Sequence, residues 1–263
     1  MALVLLAPAS ARADDHALLE RHRPVYVLDA RDRSPVAGVQ GGPPASYGRA
    51  APAAKGGRWL QYWRWHADNP QDRGILRTGR HEGDWELVQV HVDAAEQPVE
   101  AVYAQHSGAE RCGWPAVRTR DDAPVAFLAN GSHAAYFRPG VRDRTFPDPN
   151  DEARGRGRIQ RPRLVLINER SPEWMRFFGR WGASRARWPF ESSSPRGPAY
   201  QGESWNDPSA FAASARGCMA GRCDERGECD GRELALAGGV GAILGLLGLL
   251  GVWWRRPAAR PEA

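Results

Sequence analysis

The chain has 263 residues, a formal net charge of +5 and four cysteines. Its basic excess sits largely at the two ends, at Arg12 and at Arg255, Arg256 and Arg260, and the stretch between carries only +2. That balance excludes a nucleic-acid binder driven by overall charge, and the roughly 220 residues between the ends make one domain of sandwich or barrel size.

Residues 1–13 form a short apolar run that closes on Ala11-Arg12-Ala13, just before Asp14-Asp15. This is the pattern of a signal peptide cleaved after Ala13. Residues 14–217 then read as an extracytoplasmic domain. Residues 35–57 are rich in Pro, Gly and Ala and read as a loop. Strands are expected at Trp59 to Trp65, where aromatic and polar residues alternate, and at Trp85 to Val92. Further strands are expected at Val99 to His106, Val125 to Ala129 and Leu164 to Ile167. Pro98, Pro124 and Pro162 stand just ahead of three of them, where no ladder donor is needed.

Residues 142–163 and 189–217 are polar and read as loops. Trp174, Phe177, Phe178 and Trp181 fall at i, i+3, i+4 and i+7, which predicts a short helix with one aromatic face, ended by Gly182. The fold class is mainly β, an antiparallel β-sandwich with short peripheral helices, plus one C-terminal transmembrane helix.

Residues 218–233 are a Cys-rich juxtamembrane segment. Cys218, Cys223 and Cys229 lie there, with Cys112 far upstream. An even count outside the cytoplasm points to two disulfides, with three pairings open. Cys218-x4-Cys223-x5-Cys229 fits no standard zinc pattern. Leu234 to Trp254 holds neither charge nor proline, and its 21 residues rise roughly 31 Å as a helix, about one hydrocarbon core. The arginines of the tail, residues 255–263, set the C-terminus in the cytoplasm. The expected location is the cell membrane, crossed once.

The chemistry concentrates at His81-Glu82-Gly83-Asp84-Trp85-Glu86. Strand alternation places Asp84 and Glu86 on the face of Val88, Val90 and Val92, about 7 Å apart. Carboxylates that continue a buried row are costly unless paired or metal-bound. Gly83 frees the chain to fold His81 back towards them. An arginine-paired structural network is the bland reading of the same residues. Two further turns carry histidine at a strand end, Gln105-His106-Ser107-Gly108 and Asn130-Gly131-Ser132-His133, and three such turns at one rim favour a site. Carboxylate and histidine ligands together suit a divalent cation, magnesium or calcium first, with manganese or zinc as alternatives.

Tyr62-Trp63, the 81–86 block, Tyr103 to Gly108 and Asn130 to Tyr136, in that order, resemble the vacuolar protein sorting-associated protein 62 family. Phe178 to Gly182 and Gly197-Pro198 extend that resemblance over residues 59 to 208. A more distant similarity is to the necrosis- and ethylene-inducing-peptide-like proteins, which share the His-x-x-Asp-Trp-Glu core. That similarity implies a β-sandwich with a divalent cation beside a site for a sugar-headgroup lipid. It assigns His81, Asp84 and Glu86 to the metal, with Asp72 as the upstream acid and Asp68 as its alternative. Gly83 stands where that family carries a second histidine, a departure from the cytolytic pattern.

Three functions follow from these readings. The first is a membrane-anchored module that binds a glycan or lipid headgroup through the cation, with His106, Ser132 and His133 completing the ligand site and nucleic acid excluded. The second is a metal-assisted hydrolase of a phosphoester or glycan, with His106 or His133 as general base. The third is a structural envelope protein. No serine nucleophile elbow, P-loop or dinucleotide fingerprint is present.

Overall fold

The computed structural model describes residues 9–35, 37–71, 79–142, 150–183 and 194–219. Fourteen strands are assigned there: β1 (Val25–Asp29), β2 (Ala45–Pro52), β3 (Arg58–Asn69), β4 (His81–Val92), β5 (Pro98–Gln105), β6 (Gly108–Gly113), β7 (Thr119–Arg120), β8 (Ala123–Leu128), β9 (Ala135–Tyr136), β10 (Gly140–Arg142), β11 (Asp151–Ala153), β12 (Arg156–Gln160), β13 (Arg163–Leu166) and β14 (Arg216–Gly217). Helix α1 spans Ala9–Arg21, α2 Glu203–Asn206 and α3 Pro208–Ser214.

A seven-stranded sheet runs β13-β2-β3-β4-β5-β6-β14, and a smaller sheet runs β12-β1-β8-β7 with β9 beside β8. β10 and β11 form a separate ribbon. The two sheets meet through Tyr26, Leu28, Ala126 and Leu128 on one side and Leu60, Tyr62, Val88, Val90 and Tyr103 on the other. Tyr103 stacks on Phe137 at 3.8 Å between ring centroids, and its hydroxyl donates to the Val125 carbonyl. The opposite face of the large sheet is covered as well. Trp63, Trp85 and Leu87 lie there under Met175 and Trp205. β4 is therefore buried on both faces, and its alternation separates two apolar environments rather than core from solvent.

The strands expected from the sequence are present, but the sheets are mixed rather than antiparallel throughout. β1 runs parallel to β8, β13 to β2 and β14 to β6. In each pair the partners come from distant stretches, and a long crossover leaves the parallel arrangement open. β2 occupies part of the expected loop 35–57. Its small residues are a packing requirement: a Cβ at Gly48 would stand 2.5 Å from Leu164 and 3.5 Å from Leu19. β11 and β12 lie within 142–163, and α2 and α3 within 189–217, so neither stretch is only loop.

The helix expected over 174–181 is a single 3-10 turn at Glu173–Arg176, after which Phe177 is extended. Trp174 and Trp181 both pack on Trp85, at 5.5 Å each. Phe178 instead is 71% exposed, so the aromatic stripe does not share one face. No helix among the described residues is long and apolar enough to cross a membrane. The expected span 234–254, residues 1–8 of the expected signal segment, Asp72, Cys223 and Cys229 lie outside the described residues. Of the possible pairings, Cys112–Cys218 is formed.

Candidate functional site

At one end of the sandwich the apolar core between the sheets gives way to polar side chains. β3 and β4 face each other with His66 opposite Asp84, Arg64 opposite Glu86 and Asn69 opposite His81. Asp84 and Glu86 continue the face of Val88 and Val90, as the alternation predicts. Gly83 takes φ +65°, and this break in the strand lets His81 reach the same neighbourhood. The His81 Nδ1–H donates to the Gly83 carbonyl at 2.7 Å. That fixes the tautomer and leaves Nε2 as an acceptor, 3.3 Å from the Asn69 amide nitrogen. The same amide nitrogen lies 3.4 Å from Asp84 Oδ2. Asn69 thus bridges His81 and Asp84.

The smaller sheet contributes the turn after β8. His133 is fully buried there at φ +57°. Its Nδ1 lies 3.4 Å from Asp84 Oδ2 and its Nε2 lies 3.6 Å from Asp32 Oδ2. Its ring stacks on His66 with centroids 3.7 Å apart. Burial first, then the neighbouring His133 and Arg64, holds His66 well below the usual imidazole range, so it is neutral.

Asp151, at the start of β11, gathers the third turn. Its Oδ2 accepts from His106 Nε2 at 2.7 Å and from the Tyr136 hydroxyl. Its Oδ1 accepts from the Ser132 hydroxyl at 2.7 Å and from the Gln71 amide at 2.8 Å. Burial pushes this carboxyl up, but the donors and charge of His106, with Tyr136 and Ser132, outweigh it and hold the group well below the usual carboxylate range. Glu86 behaves in the opposite way. Burial, then the charges of Asp84 and Asp151, pushes it well up.

An arginine network is not what neutralises these acids. Among the described residues no arginine forms an ion pair with Asp84, Glu86 or Asp151. Arg64, the cross-strand neighbour of Glu86, instead donates to Gln160 and lies over the Tyr26 ring. A cluster of buried acids short of positive charge suits a bound cation. Asp84, Glu86 and the Nε2 of His81 are the donors in this neighbourhood whose chemistry suits a divalent ion. They are not closed up as a bare triad. The one group of three donor residues lying within 4.8 Å of each other among the described residues is Glu110, Cys112 and Cys218, and its two sulfurs are joined to each other. An ion at His81, Asp84 and Glu86 would therefore keep water in its shell, as magnesium commonly does.

Glu86 and His106 also line a cavity of about 560 Å3, walled by Trp63, Trp85 and Phe211 and rimmed by Gln201, Glu203, Ser204 and Ser214. The indole N–H groups of Trp63 and Trp85 are buried without an acceptor among the described residues. Ser132 and His133 are closed off from solvent, so they hold carboxylates rather than present themselves to a ligand. Asp68, on the Asp84 side of β3 by alternation, keeps Oδ1 buried without a partner among the described residues. Glu82 is engaged elsewhere: its N–H donates to the Ala183 carbonyl at 2.8 Å. Asp32, His66, Asn69, Gln71 and Asp151 complete the cluster without having stood out in the sequence. Only His66 carried a signal, since it shares the face of Tyr62 by strand parity.

No family model matches the chain. No curated protein matches it either. Among solved structures it is similar to a toxin fold for microbial attack and plant defence, at 17% identity over 61% of this chain and 76% of that one, with a TM-score of 0.40. NLPPya in complex with glucosamine matches at 17% over 62% and 77%, with a TM-score of 0.40. The non-toxic HaNLP3 protein matches at 14% over 57% and 73%, with a TM-score of 0.36. These structural neighbours are proteins of the necrosis- and ethylene-inducing-peptide-like toxin fold, at low identity.

Proposed function

We propose that this chain is a binding module displayed outside the cell and anchored once through residues 234–254. In this reading it takes a sugar or a sugar-bearing lipid headgroup beside a divalent cation. The observation that carries the reading is the cluster of Asp84, Glu86 and Asp151, buried without an arginine partner among the described residues and opening at Glu86 into the cavity. His81, Asp84 and Glu86 would hold the ion, with Asp68 or Asp72 as the upstream acid. The ion would supply the positive charge those acids lack and offer a ligand hydroxyl a direct oxygen contact. His133 and Asn69 hold Asp84 in place, and Ser132, through Asp151, orients His106 at the cavity. A sugar ring suits the walls, because its C–H face packs on indoles while its hydroxyls reach the polar rim. Kinship with the vacuolar protein sorting-associated protein 62 family is part of this reading and rests on the ordered sequence blocks.

Calorimetry tests it. The full chain is titrated with magnesium or calcium, and the loaded chain with glucosamine. Binding is expected for both, and loss of both in the Asp84→Asn/Glu86→Gln variant. Cation binding by that variant equal to the parent would sink the reading.

One observation favours metal-assisted hydrolysis as a second reading. His106 is part-exposed at the cavity and backed by Asp151 at 2.7 Å, the arrangement of a general base held in one orientation. Turnover of phosphoester or glycoside substrates that is lost in His106→Ala, while cation binding persists, would favour it.

A further inference from the structure

The arginines of this chain are nearly balanced by acids over its length, 36 basic to 31 acidic residues, and lysine contributes only Lys55. They are not spread evenly. From Ala153 to Asn168 there are five arginines and no acid. The structure shows where this stretch lies. β12 is the edge strand of the small sheet and β13 the edge strand of the large one, and only Arg161-Pro162 separates them. The edges of the two sheets are therefore joined at the corner Arg161-Pro162, and the edge strands on either side of it carry Arg156, Arg158, Arg161 and Arg163, all exposed.

The neighbouring acids are committed elsewhere. Glu152 holds Arg31 and Arg154, and Glu20 holds Arg23 at 3.1 Å. Arg161 reaches the carbonyls of Glu20 and Arg21. The side chains of Arg156, Arg158 and Arg163 make no hydrogen bond or ion pair among the described residues. Two large aliphatic side chains on the same two strands are also left in solvent, Ile159 at 58% and Leu166 at 44% exposed.

Charged residues on edge strands are a common guard against strand pairing between molecules. A guard does not need a run free of acids, and it is not served by exposed Ile and Leu, which alternation puts on the other faces of the same edge strands, so that an edge-on contact would meet both. Guanidinium groups that pair with phosphates, together with aliphatic side chains that enter the acyl boundary, fit the interface of an anionic bilayer. We propose that the β12–β13 margin docks this domain on an anionic lipid surface. The contact is independent of the cation cluster and of the apolar segment 234–254.

The full chain is mixed with vesicles of phosphatidylcholine, with or without phosphatidylglycerol, and sedimented. Retention through residues 234–254 would be equal in the two lipids, so the ratio between them reports the arginines. The parent is expected to prefer the anionic vesicles, with the preference lost at high salt. Each arginine at such a surface contributes about fivefold, so Arg156→Gln/Arg158→Gln/Arg163→Gln should cut the preference by up to about a hundredfold. These side chains hold nothing in the fold, and an unchanged melting temperature checks that. Arg118→Gln/Arg120→Gln, at the far edge of the small sheet, should keep the preference. Equal retention on both lipids overturns the proposal, as does an equal loss in the two variants. Retention of soluble heparin without any preference between vesicles overturns it too, in favour of a soluble polyanion.

Discussion

His106 and Asp151 meet at 2.7 Å across 45 residues of sequence, and the turn that brings His106 there holds it at φ +56°. Asp151 is wholly buried and serves four donors from three separate segments. Asp151→Ala would leave Ser132, Gln71, Tyr136 and His106 without their acceptor. The expected cost is about 3–5 kcal/mol of unfolding free energy, against about 1–3 kcal/mol for His106→Ala, which removes one donor and leaves three. Urea unfolding of the two variants measures the difference, and equal losses would contradict the hub role of Asp151.

His66 gives the acid side of the stability profile. Its folded form stays neutral well below the usual imidazole value of 6.5 because it is buried. The unfolded chain takes up a proton as pH falls through about 6.5, and the folded chain does not. Stability therefore falls as pH drops below that value, by up to about 1.4 kcal/mol per pH unit. His66→Phe keeps a ring against His133 and removes the titration. Its stability should be flatter than the parent's between neutral and mildly acidic pH in chemical unfolding, and identical slopes would refute the assignment.

Glu86 makes cation binding a proton exchange. Burial, with the charges of Asp84 and Asp151, keeps its carboxyl protonated well above the usual range. An ion that binds the carboxylate must displace that proton, so affinity should rise as pH rises. Titrations of magnesium in buffers of different ionisation enthalpy should show proton release, and Glu86→Gln should abolish it. Release of the same size in the variant would point to another group.

Gly83→His would restore the histidine found in the toxin-like pattern, and this fold does not admit it. A Cβ there would stand 2.4 Å from the Trp181 carbonyl oxygen and 2.5 Å from the Trp65 ring, at a φ that side chains rarely adopt. Strain and overpacking together cost roughly 2–4 kcal/mol. A lowered melting temperature, with no gain in cation or sugar binding, is the expected result.

Much of the large sheet was legible in the sequence because β3, β4 and β5 are long and alternate cleanly. The parity of β4 was enough to put Asp84 and Glu86 beside Val88, and the glycine at 83 to swing His81 across. The histidine-bearing turns were expected to converge, and the structure links His133 to Asp84 and His81 to Asn69, while His106 is held by Asp151. Asp151 was not legible: it stands in a polar stretch without period, and only the fold brings it under His106. β2 was hidden by its Ala and Gly content, and Gly48 is small because Leu164 and Leu19 press on it. The 174–181 spacing suggested a helix, and Trp174 and Trp181 do share a partner, Trp85, but a single 3-10 turn at Trp174 followed by extended chain brings them to it. The arginine margin was averaged away in the net charge, since charge along a sequence says nothing of which strands end at an edge.

The Cys112–Cys218 bond, which joins residues 106 apart, divides the cluster in a way no strand order does. Ser132, His133 and Asp151 lie within a covalent ring, and His81, Asp84, Glu86 and His106 lie on the linear stretch before it. A protease cut between Arg142 and Asp151 would open the ring without releasing a fragment. Such a nicked chain would travel as one species until reduced and then part into two pieces. The supports of the site would fall on both, with His133 kept beside the carboxylates of β4 and Asp151 carried away.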